Sequence, residues 1–228
     1  MFKWYLDTVW KIWVQPILFY SRMPAGDWAD EPLTFCGTCA WILAFFLTIV
    51  VFVNQLIPIG TTLLVQVHGL KIIYAAPVMA VLAFMFFVIV ISILGGVFMA
   101  LFFSLFYALG VLLYLTGRWL GGKGEFFHSI QAAFYASAVL LIGILPIIMI
   151  IFSKQGILSF TNFKIGYNMV YSFAVLYLYG LLAIAARKTQ GLPRWKAFVA
   201  ALLPALLLIL IGLAVNQVIL PRIANWII

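Results

Sequence analysis

The chain has 228 residues, of which 67% are hydrophobic and 8% are charged, and its formal net charge is +8. Soluble domains carry about 25% charged residues, so this composition excludes an ordinary soluble domain and predicts an all-α, polytopic transmembrane helix bundle. The basic residues lie in short loops between apolar runs, not on one solvated face. This distribution argues against a nucleic-acid partner and favours anionic lipid as the counter-charge.

The first predicted element is an amphipathic helix over residues 1–20. Polar side chains recur every four positions along it, and apolar and tryptophan side chains cover the remaining surface. This pattern is typical of a helix that lies in the headgroup region of a membrane. The residues expected to contact lipid headgroups or a partner there are Lys3, Lys11, Trp10 and Trp13.

A short connector follows and contains three of the five acidic residues of the chain, within 27–31. The prolyl-glycyl segment 23–26 is predicted to break the interfacial helix. Asp30 and Glu31 precede Pro32, so they are predicted to cap the first spanning helix and to meet the positive end of its dipole. We therefore divide the chain into an interfacial segment, 1–32, and a transmembrane domain, 33–228.

Four spanning segments are placed directly by their apolar runs, at about 33–57, 131–152, 165–186 and 197–220. Pro58 is expected to end the first of them. The run between Lys71 and Arg118 is harder to place, because its 46 uncharged residues would form a helix about 69 Å long, against a hydrocarbon core of about 30 Å. We expect either two crossings that turn at Gly95-Gly96, or a re-entrant or interfacial piece containing Pro77 and then one crossing.

Loop charges favour five crossings over six. With five, nine Lys and Arg residues lie on the N-terminal side and four on the other; with six, the numbers are six and seven. The positive-inside rule then places the N-terminus in the cytoplasm and the C-terminus outside. The cytoplasmic loop residues expected to contact lipid headgroups or a partner are Arg118, Lys123, Arg187, Lys188, Arg194 and Lys196.

No motif predicts catalysis, a cofactor or a metal site. Cys36 and Cys39 have dithiol spacing, but they occur in the first turns of an apolar helix without further ligands nearby. The glycines of 121–124 lack the rest of a phosphate-loop pattern and more simply permit a tight turn. His68 and His128 stand alone near segment ends.

Inside the crossings the polar residues are uncharged, which argues against a proton-driven transporter. Amide side chains can bridge membrane helices. Gln131 and Asn168 are the two amides expected to make such intramembrane contacts.

The order of several segments resembles the Yip (Ypt-interacting protein) family, in particular its shorter prokaryotic branch. These segments are PILFYSRMPAGDWADEPLTF, YAAP at 74–77, LGGKGEFFHSIQAAFYASAVLLIGILP at 120–146 and WKAFVAALLPALL at 195–207. The resemblance implies a five-span bundle with a cytoplasmic N-terminus. Eukaryotic members are linked to small GTPases and to vesicle traffic, and this chain departs from them by lacking a long polar N-terminal region.

The sequence therefore predicts a non-enzymatic integral membrane protein of the Yip type, in a bacterial cytoplasmic (inner) membrane. It would organise the membrane or recruit partners through its cytoplasmic face. The expected partners are anionic lipids, a protein on the cytoplasmic side or a second copy of the chain. The alternative is an uncoupled small transporter, channel or lipid scramblase, whose signal would be a broken 72–117 run lining a cavity.

Overall fold

The computed structural model describes residues 2–23, 28–66 and 71–227, and within these residues the regular structure is entirely helical. Short non-α turns interrupt the helices at Phe52–Leu56, Ser137–Gly143 and Val215–Ile219. The α-helices in chain order are α1 (Phe2–Val14), α2 (Pro16–Arg22), α3 (Glu31–Val51), α4 (Ile57–Gln66), α5 (Lys71–Trp119), α6 (Phe126–Ala136), α7 (Ile144–Lys154), α8 (Phe160–Gln190), α9 (Arg194–Ala214) and α10 (Leu220–Ile227).

Five helical segments of the described chain are long and apolar enough to span a membrane. The prediction of five crossings is therefore confirmed. We number them as spans 1 to 5: Glu31–Gly60, Tyr74–Trp119, Phe126–Lys154, Phe160–Gln190 and Arg194–Trp226. Their shared core consists of aromatic and aliphatic side chains that are fully buried, among them Phe35, Phe106, Phe134 and Leu182.

Span 1 does not end at Pro58, as the sequence predicts, because the helix continues through the proline. The turn before Pro58 is a π-turn, in which the N–H of Ile57 donates to the carbonyl of Phe52 five residues earlier. A proline ring collides with the carbonyl four residues before it in a regular helix, and a wider turn relieves that collision. Span 5 shows the same arrangement, with a π-turn at Val215–Ile219 shortly before Pro221.

The expected interruption of the 72–117 run is wrong. α5 is one helix of 49 residues, about 73 Å long at 1.5 Å per residue. Pro77 lies in its second turn. Gly95 lies inside this continuous helix. The ring of Trp41 in α3 packs directly against it, and a Cβ at this position would lie 2.4 Å from that ring. Gly95 thus serves helix packing in place of a chain reversal, whereas nothing lies within 4 Å of the Cβ position of Gly96.

Pro204 lies inside α9 without ending it. Proline lacks the N–H that would bond the carbonyl four residues earlier, which here is that of Ala200. The hydroxyl of Thr116 in α5 lies 2.8 Å from this carbonyl and 2.8 Å from that of Leu112 in its own helix, so its one proton is shared between the two acceptors. Neighbouring helices commonly satisfy freed carbonyls in membranes in this way, so the Pro204 position also joins α9 to α5.

Candidate functional site

Two loops meet at one end of the bundle and carry six of the ten predicted contact residues. We call residues 118–125 and 187–196 the basic platform. α8 ends at Gly191, whose φ of +67° is left-handed, and the first loop reverses at Gly121, whose φ is +90°. The N–H of Lys123 donates to the carbonyl of Gln190 at 3.1 Å, which joins the two loops directly.

The carboxamide of Gln190 fills the space beneath these loops. Gln190 is 3% exposed, and its Nε2 donates to the carbonyl of Leu113 at 3.0 Å and to Oγ of Ser129 at 3.2 Å. Gly117 and Gly122 leave room for it: a Cβ would lie 1.5 Å and 2.6 Å, respectively, from Oε1. One side chain of α8 therefore positions α5, α6 and the first loop together.

Basic side chains reinforce the junction. Nζ of Lys196 donates to the carbonyl of Leu120 at 2.9 Å, and the guanidinium of Arg118 lies 3.4 Å from the carbonyl of Gly122. Lys123, Lys188 and Arg194 are exposed. The platform holds six basic residues and one acidic residue, Glu125, so its net charge is +5.

The remaining predicted contact residues lie elsewhere, on α1. Its buried face, with Tyr5 at 4% and Ile12 at 0% exposure, packs on the bundle. The hydroxyl of Tyr177 donates to the carbonyl of Trp13 at 2.8 Å. Because Tyr177 lies 13 residues before Gln190, this contact is about 20 Å from the platform along α8. The structure therefore does not bring α1 and the platform into one surface.

The exposed side of α1 carries the four contact residues that were predicted there. Trp10 is 66% exposed, and Trp13 is 40% exposed while its indole N–H donates to the carbonyl of Ala138 at 3.3 Å. Lys3 is exposed. Lys11 forms an ion pair with Asp7 one turn away, so its charge is partly neutralised within α1.

The predicted cap of span 1 lies at the correct boundary. α3 begins at Glu31, so this carboxylate lies in the first turn of the helix, and Asp30 occupies the N-cap position. The side chain of Asp30 makes no capping hydrogen bond; its backbone carbonyl accepts from the N–H and hydroxyl of Thr34. Of the predicted break at 23–26, residues 24–26 lie outside the described residues, and so does Asp27.

Cys36 and Cys39 are 1% and 0% exposed and are reduced. The Tyr5 hydroxyl lies 3.2 Å from Sγ of Cys39, so the pair helps to hold α1 on span 1. Burial raises the pKa of the Tyr5 hydroxyl above its usual range. No group of three potential metal ligands occurs in the described part of the chain; His68 lies outside it.

The two predicted intramembrane amides have different surroundings. Gln131 is 3% exposed, and its Oε1 has no hydrogen-bond partner among the described residues. Asn168 lines a groove between spans 4 and 5 with Ser172 and Asn216, far from the platform. Three polar residues of the platform end are not recognisable from the sequence: Gln190, Ser129 and Thr116. A polar residue near a helix end has no sequence pattern that reveals a distant partner.

A family model described as the Yip1 domain matches residues 10–216. The match covers all five spans almost completely, together with both loops of the platform. No curated protein and no solved structure matches the chain.

Proposed function

We propose a function from one premise: this chain belongs to the Yip1 domain family and is an integral membrane protein. It organises the membrane or recruits partners through the basic platform and has no catalytic role. The observation that carries the proposal is the joining of the two basic loops, by the Lys123 N–H on the Gln190 carbonyl and by Lys196 on the Leu120 carbonyl. A fixed arrangement of cations favours an anionic surface, because less side-chain and loop freedom is lost on binding.

The proposed partners of the platform are anionic lipid headgroups and a protein with an acidic surface, which can be a second copy. Each basic residue near an anionic membrane contributes on the order of 1 kcal/mol. Removing Lys188 and Arg194 together should therefore lower the binding free energy by about 2 kcal/mol, or about 30-fold in affinity. Both side chains are exposed.

This proposal is tested with the full chain in nanodiscs of neutral lipid, to which vesicles containing phosphatidylglycerol are added. We expect co-flotation at low salt, a large loss at high salt and about 30-fold weaker binding for Lys188→Gln/Arg194→Gln. The matched control is Lys164→Gln/Arg222→Gln, which removes the same charge from the other end of spans 4 and 5. Equal binding by both double variants would contradict a role for the platform.

We further propose that the platform faces the cytoplasm of a bacterial cell, with the N-terminus on the same side. The support is the excess of Lys and Arg on that side, nine against four. Cysteines introduced as Lys188→Cys and Asn225→Cys should react with a membrane-impermeant reagent from opposite sides. Labelling of position 225 from the cytoplasm would overturn this topology.

An uncoupled transporter, channel or lipid scramblase is the second candidate. Its original support, a broken 72–117 run, is lost because α5 is continuous. The groove that contains Asn168, Ser172 and Asn216 is the observation that still favours it. Liposomes reconstituted with the protein should then move fluorescent lipid or ions, and Asn168→Leu/Asn216→Leu should abolish the movement; liposomes without movement would refute this candidate.

A further inference from the structure

A cavity of about 280 Å³ lies between the N-terminal helices and the beginning of span 1. Four charged side chains line it, two acidic and two basic: Asp7, Lys11, Arg22 and Glu31. The aromatic side chains of Trp4, Phe19 and Tyr135 also line it. The proposed function does not use this cavity, and none of its lining residues belongs to the platform.

Two of the four charged side chains form an ion pair with each other, and the other two do not. The latter two, Arg22 and Glu31, are exposed, and the Glu31 carboxylate accepts a hydrogen bond from the Tyr135 hydroxyl. Asp7 and Lys11 form an ion pair with each other on α1. Arg22 and Glu31 face the same cavity from α2 and α3, yet they form no ion pair within 4.0 Å in the described part of the chain. Opposite charges that line one cavity without direct contact leave room for a molecule that carries both complementary charges.

The height of the cavity within the bundle determines what molecule reaches it. Tyr135, against which the Glu31 carboxylate lies, is nine residues inside the platform end of span 3, or about 14 Å. Span 4 has 31 residues and is about 46 Å long, which exceeds a hydrocarbon core of about 30 Å by about 16 Å. Divided between the two ends, this excess is about 8 Å at each, so Tyr135 lies a few ångströms inside the hydrocarbon core. Glu31 is the first residue of span 1 and lies at its headgroup end, so the cavity extends across the boundary between the headgroups and the hydrocarbon core.

The volume of the cavity and the apolar side chains at its edge both suit a lipid headgroup. The cavity is slightly smaller than the roughly 300–1,000 Å³ of small-molecule sites, so it accommodates a headgroup but not a whole lipid. At its edge, Leu18 lines the cavity and is 42% exposed, and the adjacent Ile17 is 54% exposed. These side chains offer apolar surface along which acyl chains can extend.

We propose that this cavity binds the headgroup of a zwitterionic phospholipid, with Arg22 on the phosphate and Glu31 on the ammonium group. A guanidinium recognises phosphate oxygens through several donors. A carboxylate beside aromatic rings suits an ammonium group, which also gains cation–π attraction. An anionic lipid satisfies Arg22 alone and leaves Glu31 facing like charge, so the site discriminates against it.

The test is native mass spectrometry of the detergent-purified full chain, titrated with phosphatidylethanolamine, phosphatidylcholine or phosphatidylglycerol. We expect one zwitterionic lipid retained per chain, and at least tenfold weaker retention for Arg22→Gln and for Glu31→Gln. A preference for ethanolamine would identify a primary ammonium group as the preferred ligand, and a preference for choline a quaternary one. Arg222→Gln and Asp30→Asn, which remove the same charges from residues outside both the cavity lining and the platform, should retain the lipid unchanged.

Folding is followed separately, by thermal unfolding of each variant without added lipid, and Arg22→Lys keeps the charge if Arg22→Gln unfolds. The platform is itself proposed to bind anionic lipid, and retention is therefore also compared in the Lys188→Gln/Arg194→Gln background, in which the platform is weakened. In that background, equal retention of all three lipids, stronger retention of phosphatidylglycerol, or no effect of either cavity variant would overturn the proposal. Loss of vesicle binding by Lys188→Gln/Arg194→Gln with lipid retention intact would leave it standing. The outcomes for the cavity and for the platform are therefore distinguishable.

Discussion

Gly117 provides the sharpest test of how the platform is built. A Cβ at this position would lie 1.5 Å from Oε1 and 2.3 Å from Cδ of Gln190. Gln190 has no free space into which to move, because it is 3% exposed and donates to both Leu113 and Ser129. We therefore expect Gly117→Ala to destabilise the protein, although alanine favours helix intrinsically.

The magnitude follows from two costs. Overpacking a close-packed interior costs about 1–3 kcal/mol. Displacing the carboxamide also breaks buried hydrogen bonds, each of which contributes about 0.5–1.5 kcal/mol. The expected loss is about 2–4 kcal/mol in the free energy of unfolding. Gly180→Ala is the matched control: nothing lies within 4 Å of its Cβ position in α8, so it should be neutral or stabilising by up to about 1 kcal/mol.

The protein contains its own reporters for this measurement. Cys36 and Cys39 are both buried, so a thiol-reactive dye labels them only after unfolding, and the temperature of labelling reports stability. Gly117→Ala should label at a clearly lower temperature than Gly180→Ala. Adding Gln190→Ala removes the obstructing side chain, so the two changes should be strongly non-additive. Equal stability of both alanine variants would refute the reasoning.

Three further predictions concern the Thr116 hydroxyl, the two buried cysteines and the buried Tyr20. Thr116→Val should lower the free energy of unfolding by about 1–3 kcal/mol, because it leaves the buried carbonyl of Ala200 without a donor. Pro204→Ala restores the N–H that bonds this carbonyl, so it should reduce the loss. If the two changes have additive effects in thermal unfolding, Thr116 does not compensate for Pro204. Cys36 and Cys39 should react slowly with alkylating reagents in the folded protein, with little dependence on pH between 6 and about 9, and rapid labelling would indicate an accessible dithiol. Burial raises the pKa of Tyr20, so above about pH 10 the unfolded chain ionises first and stability should fall; Tyr20→Phe should weaken that fall, and an unchanged alkaline profile would exclude this tyrosine as a source.

The positions of the helices were largely predictable, and the irregularities within them were not. Hydropathy predicted all five spans, and loop charge correctly distinguished five crossings from six. Proline was the misleading signal. Pro58 was expected to end span 1, but a π-turn accommodates it, and Pro204 is tolerated because Thr116 bonds the freed carbonyl. The π-turn depends on the local backbone geometry before Pro58. The contact at Pro204 depends on Thr116, which lies more than eighty residues earlier in the sequence on another helix.

The sequence alone determined that this protein is a five-span helical membrane protein, because apolar length and loop charge act locally along the chain. Only the tertiary structure decided which polar residues matter together. Gln190 meets Leu113 and Ser129 across three helices, Arg22 and Glu31 face one cavity, and α1 packs on the bundle away from the platform. Such groupings arise from packing between segments distant in sequence, and no spacing along the chain encodes them.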